Sequence, residues 1–412
     1  MRPLLPAVLR EEPQFRLLFW GHSLSMIGDR ITFVALPFAV LSIGGGVGEV
    51  AVVIAATTLP FAVFSLLGGV WADRLPRHRV MLASDLVRMV SQGSAAVLLL
   101  SGSAEVWHLA VLGVAFGVSD AFFMPALTGL MPALVPPHRL QEANAMRALV
   151  LSFGMVSGPA IAGVLVATLG PGGAMAIDAA TFAASAFVLA RLRPAVAERL
   201  LERAPAFLSE LAAGFAEIRR RVWVQGFLVV LFVYSVVVLP AIFVLGPVLA
   251  EEELGGVGAW AIITAAFGLG SVAGDLLILR FKPERPLLWA AVGFAVASTQ
   301  ALIIGSGLPV GAIAALEAVT GVAVAAGFGL WETTLQEQIP EHAISRVASV
   351  DHLVSIGLMP IGLLLAGPLA ALIGVRETLM LQTAVGLPVA LALLLVPGVR
   401  TIRRGRAVSA GG

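Results

Sequence analysis

The chain has 412 residues, of which 59% are hydrophobic and only 12% charged, and its mean hydropathy is +0.98. A soluble domain carries about 25% charged residues, so packing in water does not account for this composition and most of the chain must face lipid or other lipid-embedded helices. The net charge of +1 gives no basis for nucleic-acid binding; zero Cys excludes disulfides and a Cys nucleophile, and the six His show no metal-ligand spacing.

The N-terminal stretch MRPLLPAVLREEPQFR lacks the apolar region and small-residue cleavage site of a signal peptide, so the first span is expected to direct its own insertion. A bilayer crossing needs roughly 20 apolar residues. Candidate spans lie at 17–43, 49–71, 80–101, 106–131, 141–168 and 173–191. They continue at 223–250, 258–280, 287–305, 309–331, 346–373 and 376–396. The expected fold is all-α and integral to the membrane, with twelve transmembrane helices in two pseudo-symmetric six-helix bundles. The bundles are expected at 1–191 and 223–397, separated by a cytoplasmic linker at 192–222 and followed by a basic cytoplasmic tail at 398–412. The linker's Arg-rich sequence predicts an amphipathic helix lying on the inner leaflet.

Basic residues fix the expected direction. With both termini inside, inner segments hold 22 Arg and Lys and the outer connections only Arg376. That asymmetry is the positive-inside pattern. The outer connections instead carry Glu49, Glu105, Glu251, Glu252, Glu253 and Glu377.

The halves align at an offset of 204: Pro136 with Pro340, His138 with His342, Gly158 with Gly362 and Gly170 with Gly374. Duplicated halves with a substrate site at their interface are a common transporter plan. The pairs Gly113–Gly117, Gly154–Gly158 and Gly270–Gly274 have the spacing that lets membrane helices approach closely. They read as packing surfaces first, and as sliding surfaces second.

Embedded charges mark candidate function. Asp29 lies about 12 residues, roughly 18 Å, into the first span, near the midplane. A charge there costs several kcal/mol and normally faces the bundle interior or a wet cavity. His22, Ser25 and Asp29 share one helix face. Asp29 is the candidate proton carrier, with Arg30 tuning it or holding an anionic substrate group; a fixed structural pair is the alternative. Asp120 and Glu317 lie deep enough to line the same cavity. Arg147 and Asp351 match at the repeat offset and form a candidate gate. Asp85 and Arg88 read as a local pair beside the first loop, and Asp178 as a structural group near the outer surface.

The loop GGVWADRLPRHRV, residues 68–80, resembles the signature of the major facilitator superfamily through Gly69, Asp73, Arg74, Arg77 and Arg79. Pro76 replaces the usual Gly. GSVAGDLLILRFKPER is a weaker echo in the second half, with Asp275. GDRI, LVPPHRLQEANAM and GPAIAGVL together look like the bacterial enterobactin exporter-like and macrolide-efflux-like permeases. Gly158, Pro159 and Gly163 are similar to the antiporter motif of drug exporters.

The resemblance implies the twelve-helix fold and a secondary active transporter of the bacterial inner membrane, not an enzyme. It would work by alternating access, exporting an amphipathic drug- or siderophore-like molecule by proton antiport. Gly69, Asp73, Arg74, Arg77, Arg79 and Asp275 would form a conformational latch. Expected partners are the small-molecule substrate, protons and the lipid bilayer; no nucleic acid, cofactor or metal is expected, and a monomer is. No GxxxxGK[ST] nucleotide loop is present, so ATP is not the expected direct driver. Import or lipid movement by the same fold, and a non-transporting scaffold or sensor, are the competing readings.

Overall fold

The computed structural model describes residues 6–72, 75–193 and 207–404. All regular elements among them are helical, as a bilayer demands: backbone N–H and C=O groups that cannot reach water must pair within their own segment. Asp73 and Arg74 of the signature loop, residues 194–206 of the expected linker and residues 405–412 of the expected tail lie outside the described residues. The chain divides into two compact units, Met1–Ala204 and Pro205–Gly412.

The first unit opens with the short helix α1 (Ala7–Glu11), followed by α2 (Pro13–Ser42), α3 (Val47–Ala72) and α4 (Arg77–Leu100). Next come α5 (Val106–Leu134) and α6 (Leu140–Leu189). Glu105 starts α5 with a reciprocal cap, its own N–H donating to His108 Nδ1 at 3.0 Å. The 50 residues of α6 are two helices divided at Gly170, whose φ of 71° and ψ of 171° require glycine.

The second unit holds α7 (Phe207–Ile218), α8 (Val222–Val233), α9 (Gly246–Leu249) and α10 (Val257–Arg280). It continues with α11 (Pro286–Ala297), α12 (Gln300–Ile304), α13 (Val310–Gln338) and α14 (Glu341–His352), and ends with α15 (Met359–Ile373) and α16 (Val375–Ala392). Wider π-helical turns occupy Tyr234–Val238, Ala241–Leu245 and Ala250–Leu254, making one stretch from Val222 to Leu254. Another, Leu353–Gly357, joins α14 to α15. α7 packs on α14, and a Cβ at its Gly214 would strike the Arg346 carbonyl.

Ten helical stretches among the described residues are long and apolar enough to cross a membrane. One of them, Pro137–Leu189, contains the break at Gly170 and so two crossings; α4, interrupted by Arg77, Arg79, Asp85 and Arg88, is a further segment of crossing length. Those adjustments agree with twelve spans. The surface fits the same medium: Leu372 is 82% exposed, Leu279 69% and Val97 66%. In water such a surface would drive aggregation.

Inside each unit, glycines of the Gly113–Gly117 and Gly270–Gly274 pairs let helix backbones meet, whereas Gly154 and Gly158 face the Arg30 side chain. A Cβ at Gly117 would strike the Thr57 carbonyl, one at Gly270 the Ala318 carbonyl, and one at Gly362 the Val236 carbonyl. Gly113 meets Thr57 as well, and Gly274 meets Val322. Each pair locks helices of a single unit. The internal repeat is visible in the backbone too: Gly170 and Gly374 both have positive φ, and Pro136 and Pro340 both precede helical segments in an extended conformation.

Each unit holds a cluster of buried aromatic and branched residues. Phe15, Leu18, Met81, Phe123, Leu127 and Met131 cluster with Val8 and Leu9 of α1 in the first. In the second, Trp331 stacks on Phe227 with ring centroids 4.4 Å apart, among Trp223, Phe294 and Leu335.

Candidate functional site

α4 is built inside out. Its buried residues include Ser84, Asp85, Arg88, Ser91 and Gln92, while Leu86, Val87 and Val90 are exposed. Polar side chains at i, i+1, i+4, i+7 and i+8 form one helical stripe, and here that stripe faces the interior of the unit. Arg88 is at its centre and is 1% exposed.

Three carboxylates surround the Arg88 guanidinium. Asp120 of α5 lies 3.5 Å away, Asp29 of α2 3.7 Å, and Asp85, one turn back on α4, 3.8 Å. The ring of Phe123 lies 4.2 Å from the guanidinium carbon and that of Phe182 5.1 Å. A desolvated cation over aromatic faces gains about 2 kcal/mol or more. The ion pairs are long: Arg88 Nε and Nη2 and both Asp85 oxygens have no hydrogen-bond partner. One cation is thus shared by three anions without being fixed to any of them. Asp29 and Asp120 keep 29% and 26% of their side-chain surface open, whereas Asp85 is sealed.

Asp178 joins this buried set rather than the outer surface where its place in the sixth span puts it. It is fully buried beside the middle of α2, accepting hydrogen bonds from Thr32 and Thr181. Gly28 makes room for it, since a Cβ there would collide with the Asp178 carboxylate. Beyond Thr32 is a cavity of about 20 Å³, lined by Thr57, Ser91, Gln92 and Leu109 among others. That is room for one water with polar partners.

Asp29 and Arg30 point apart, as adjacent helical residues must. Asp29 faces Arg88, while the Arg30 stem lies on Gly154 and Gly158 of α6. Gly158, Pro159 and Gly163 are buried along α6. His22 is buried with its ring 5.6 Å from Phe123, and it lines one small cavity together with Arg147. Gly69 lies in α3, and Arg77 donates to the Gly129 carbonyl, tying α4 to α5. Arg79 is exposed.

In the second unit Asp275 is exposed on α10. Asp351 accepts a 2.9 Å hydrogen bond from Trp331 Nε1. Glu317 is 2% exposed on α13; its Oε2 accepts from Gln300 Nε2 at 3.1 Å and from Thr320 Oγ1 at 2.8 Å. Tyr234 donates to Gln300 Oε1 at 2.7 Å. No group of three or more His, Asp or Glu among the described residues could hold a metal ion.

The local pair of Asp85 and Arg88 expected from the sequence is present, but sequence reasoning missed Arg88 as the hub that also meets Asp29 and Asp120, and it missed the contacts of Asp178, Gln300 and Tyr234. The stripe on α4 was the available signal for the hub. The contacts of the other three join separate helices and leave no mark in one sequence.

The Major Facilitator Superfamily profile matches residues 18–355. Multidrug efflux pump Tap of Mycolicibacterium fortuitum is 30% identical over 398 residues, covering 91% of this chain and 93% of the pump. Macrolide efflux protein A of Streptococcus pyogenes is 25% identical over 396 residues, covering 94% and 97%. Among solved structures, the nucleoside transporter NupG superposes with a TM-score of 0.70 at 12% identity, covering 93% of this chain and 98% of NupG. A bacterial homologue of ferroportin gives 0.63 at 18%, covering 94% and 100%. At those identities the two structures speak to fold alone.

Proposed function

Because the chain belongs to the Major Facilitator Superfamily and is similar over nearly its whole length to efflux pumps, we propose that it exports an amphipathic small molecule by alternating access, driven by protons moving inward. The Asp29–Arg88–Asp120 cluster is the exchange site. The observation that carries this reading is the shared guanidinium, buried and equidistant within a few tenths of an ångström from two partly open carboxylates.

The chemistry follows from charge balance. With both carboxylates ionised, Arg88 offsets one charge and is drawn between the two. A proton arriving on Asp29 neutralises it, and the cation then pairs with Asp120. Loss of the proton reverses the shift. Each protonation state therefore favours a different placement of side chains on α2, α4 and α5, the bistable element that coupling requires. Asp85 and Asp178 hold Arg88 in the interior through both states.

In this reading the protein sits in a bacterial inner membrane as a monomer, with both ends in the cytoplasm. Arg30 receives an anionic group of the substrate. Asp73, with Gly69, Arg74, Arg77 and Arg79, latches the first unit, and Asp275 is its counterpart in the second. Arg147 and Asp351 close a gate, and α7 rests on the inner leaflet.

The test is flux in proteoliposomes under an imposed pH gradient, whose direction separates export from import. Asp29→Asn is expected to lower the substrate gradient that a given pH gradient sustains while retaining downhill movement. Uphill export by this variant with an unchanged pH profile would remove Asp29 from the coupling.

A further inference from the structure

The buried carboxylate of the second unit has surroundings unlike those of the first. Among the described residues no Arg or Lys pairs with Glu317. One oxygen is anchored by two donors, from Gln300 and Thr320, and the other, Oε1, is buried with no partner at all. Gln300 is fully buried, and its amide is oriented by Tyr234, which is 4% exposed. The chain Tyr234–Gln300–Glu317 thus runs across three segments and stops at a vacant carboxyl oxygen.

Backbone irregularity converges on the same point. Tyr234 begins the first π-helical turn of the Val222–Leu254 stretch. The ninth span is interrupted at Ser298 and Thr299, between α11 and α12, immediately before Gln300. π-turns and interrupted helices at membrane depth occur mostly where a site is lined or must move. Among the described residues of these elements no other charged group competes there. α11 and α12 carry none, Asp275 is exposed on α10, Arg280 ends that helix, and Glu332 and Glu337 lie four turns or more along α13. Besides Glu317 itself, Tyr234 is the one titratable side chain in the Tyr234–Gln300–Glu317 chain among the described residues.

We propose that Glu317 is a second proton-binding site, so that each export cycle is coupled to two protons, one at the Asp29–Asp120 cluster and one in the second unit. The step is a plain acid–base exchange. Oε1 forms an O–H bond with a proton delivered by water, and the carboxylate charge is neutralised. The proton leaves to water when the interrupted ninth span and the π-turn at Tyr234 shift and hydrate Oε1. An ionised carboxylate without a cation at this depth is costly, and the sealed geometry therefore ties proton loss to that movement. This inference rests on the proton-antiport reading above, and the experiment separates the two.

The measurements use the full chain. In proteoliposomes with a fixed pH gradient, the substrate ratio at zero net flux reports the number of coupled protons. Each coupled proton raises that ratio about tenfold per pH unit of gradient. Glu317→Gln keeps the side-chain shape and its hydrogen bonds; it is expected to lower the ratio about tenfold per pH unit, with export still uphill. Glu317→Asp keeps an exchangeable proton while weakening the brace, and is expected to hold the wild-type ratio. Infrared titration of purified protein should show a protonated-carboxyl C=O band that disappears on alkalinisation and is missing from Glu317→Gln. A wild-type ratio in Glu317→Gln, an Asp variant that behaves like the Gln variant, or a Glu317 band that never titrates would each overturn the second site. If Asp29→Asn abolishes coupling while Glu317→Gln leaves the ratio intact, the exchange site of the first unit stands and only the second proton falls. If Asp29→Asn leaves the ratio intact, the exchange site of the first unit falls; if a pH gradient drives no uphill export by the unsubstituted protein, the antiport reading itself falls.

Discussion

Replacing Arg88 by methionine removes the one cation that three carboxylates share. At 3.5–3.8 Å, each attraction is about 4 kcal/mol at the effective dielectric of a protein interior, and repulsion among the carboxylates opposes the sum. Removing one partner of a buried ion pair typically costs about 3–5 kcal/mol, because the remaining charge is left uncompensated. Loss of the ring contact with Phe123 adds to this. Against a total stability of about 5–15 kcal/mol, Arg88→Met should bring the first unit close to unfolding. In detergent the melting temperature should drop on the order of 10 °C. Arg88→Lys should fall between, since a compact ammonium keeps the charge but not the planar fork that lies on the rings. Adding Asp120→Asn to Arg88→Met should recover at least about 1 kcal/mol, as coupled sites do. Thermal unfolding of the four proteins, followed by tryptophan fluorescence, gives these differences directly. If Arg88→Met melts within about 1 kcal/mol of the parent, and Asp120→Asn changes nothing on that background, then Arg88 does not neutralise the cluster and the exchange mechanism loses its hub.

Gly170→Ala should cost about 1–3 kcal/mol of stability in the same assay, although nothing lies within 4 Å of the added carbon; the penalty is purely that of φ 71° with ψ 171°. The contact of Glu11 with Arg139, which ties α1 to the start of α6, should weaken in acid. The hydrogen bond and charge of Arg139 hold the Glu11 carboxyl below its ordinary value of 4.5, so its contribution is complete above that value and is lost as pH falls through the lower folded-state value. Hydrogen exchange in α1 should accelerate below about pH 4.5 and be fast already at neutral pH in Glu11→Gln; exchange insensitive to both would sever the link.

The spans were readable because length and apolarity are properties of contiguous sequence, and Gly170 and Gly374 announced the breaks before the sixth and twelfth. α4 shows where that logic stops. Its charges read as a local pair, and Asp85 does stand 3.8 Å from Arg88, but hydropathy averages over a helix and ignores which side each residue occupies, so the link to Asp29 and Asp120 stayed hidden. The i, i+4, i+7 placement of Ser84, Arg88 and Ser91 held the directional information. Asp29 was conspicuous from its depth, but its partner was not, since Arg88 is 59 positions away in sequence and next to it in space. Asp178 shows the same limit: counting residues from a helix end gives depth only if neighbouring helices are in register, and Thr32 and Gly28 meet it in the middle of α2. Glu317 stood out as a lone acid in an oily segment, whereas Gln300 on the preceding span and Tyr234 three spans back, both uncharged, did not.

The glycines sort into two kinds with a practical consequence for spectroscopy. The chain is naturally free of cysteine, so a thiol introduced anywhere is the sole attachment point for a fluorophore or spin label. At Gly117, Gly270, Gly321 and Gly362 even a methyl group would collide with a neighbouring carbonyl, and a probe would wedge the helices apart and report on its own damage. At Gly48, Gly258 and Gly311, close to where α3, α10 and α13 begin, the added atom meets open space. Reporters placed there, one in the first unit and one in the second, can follow distance changes through a transport cycle without perturbing the contacts that make each half a body.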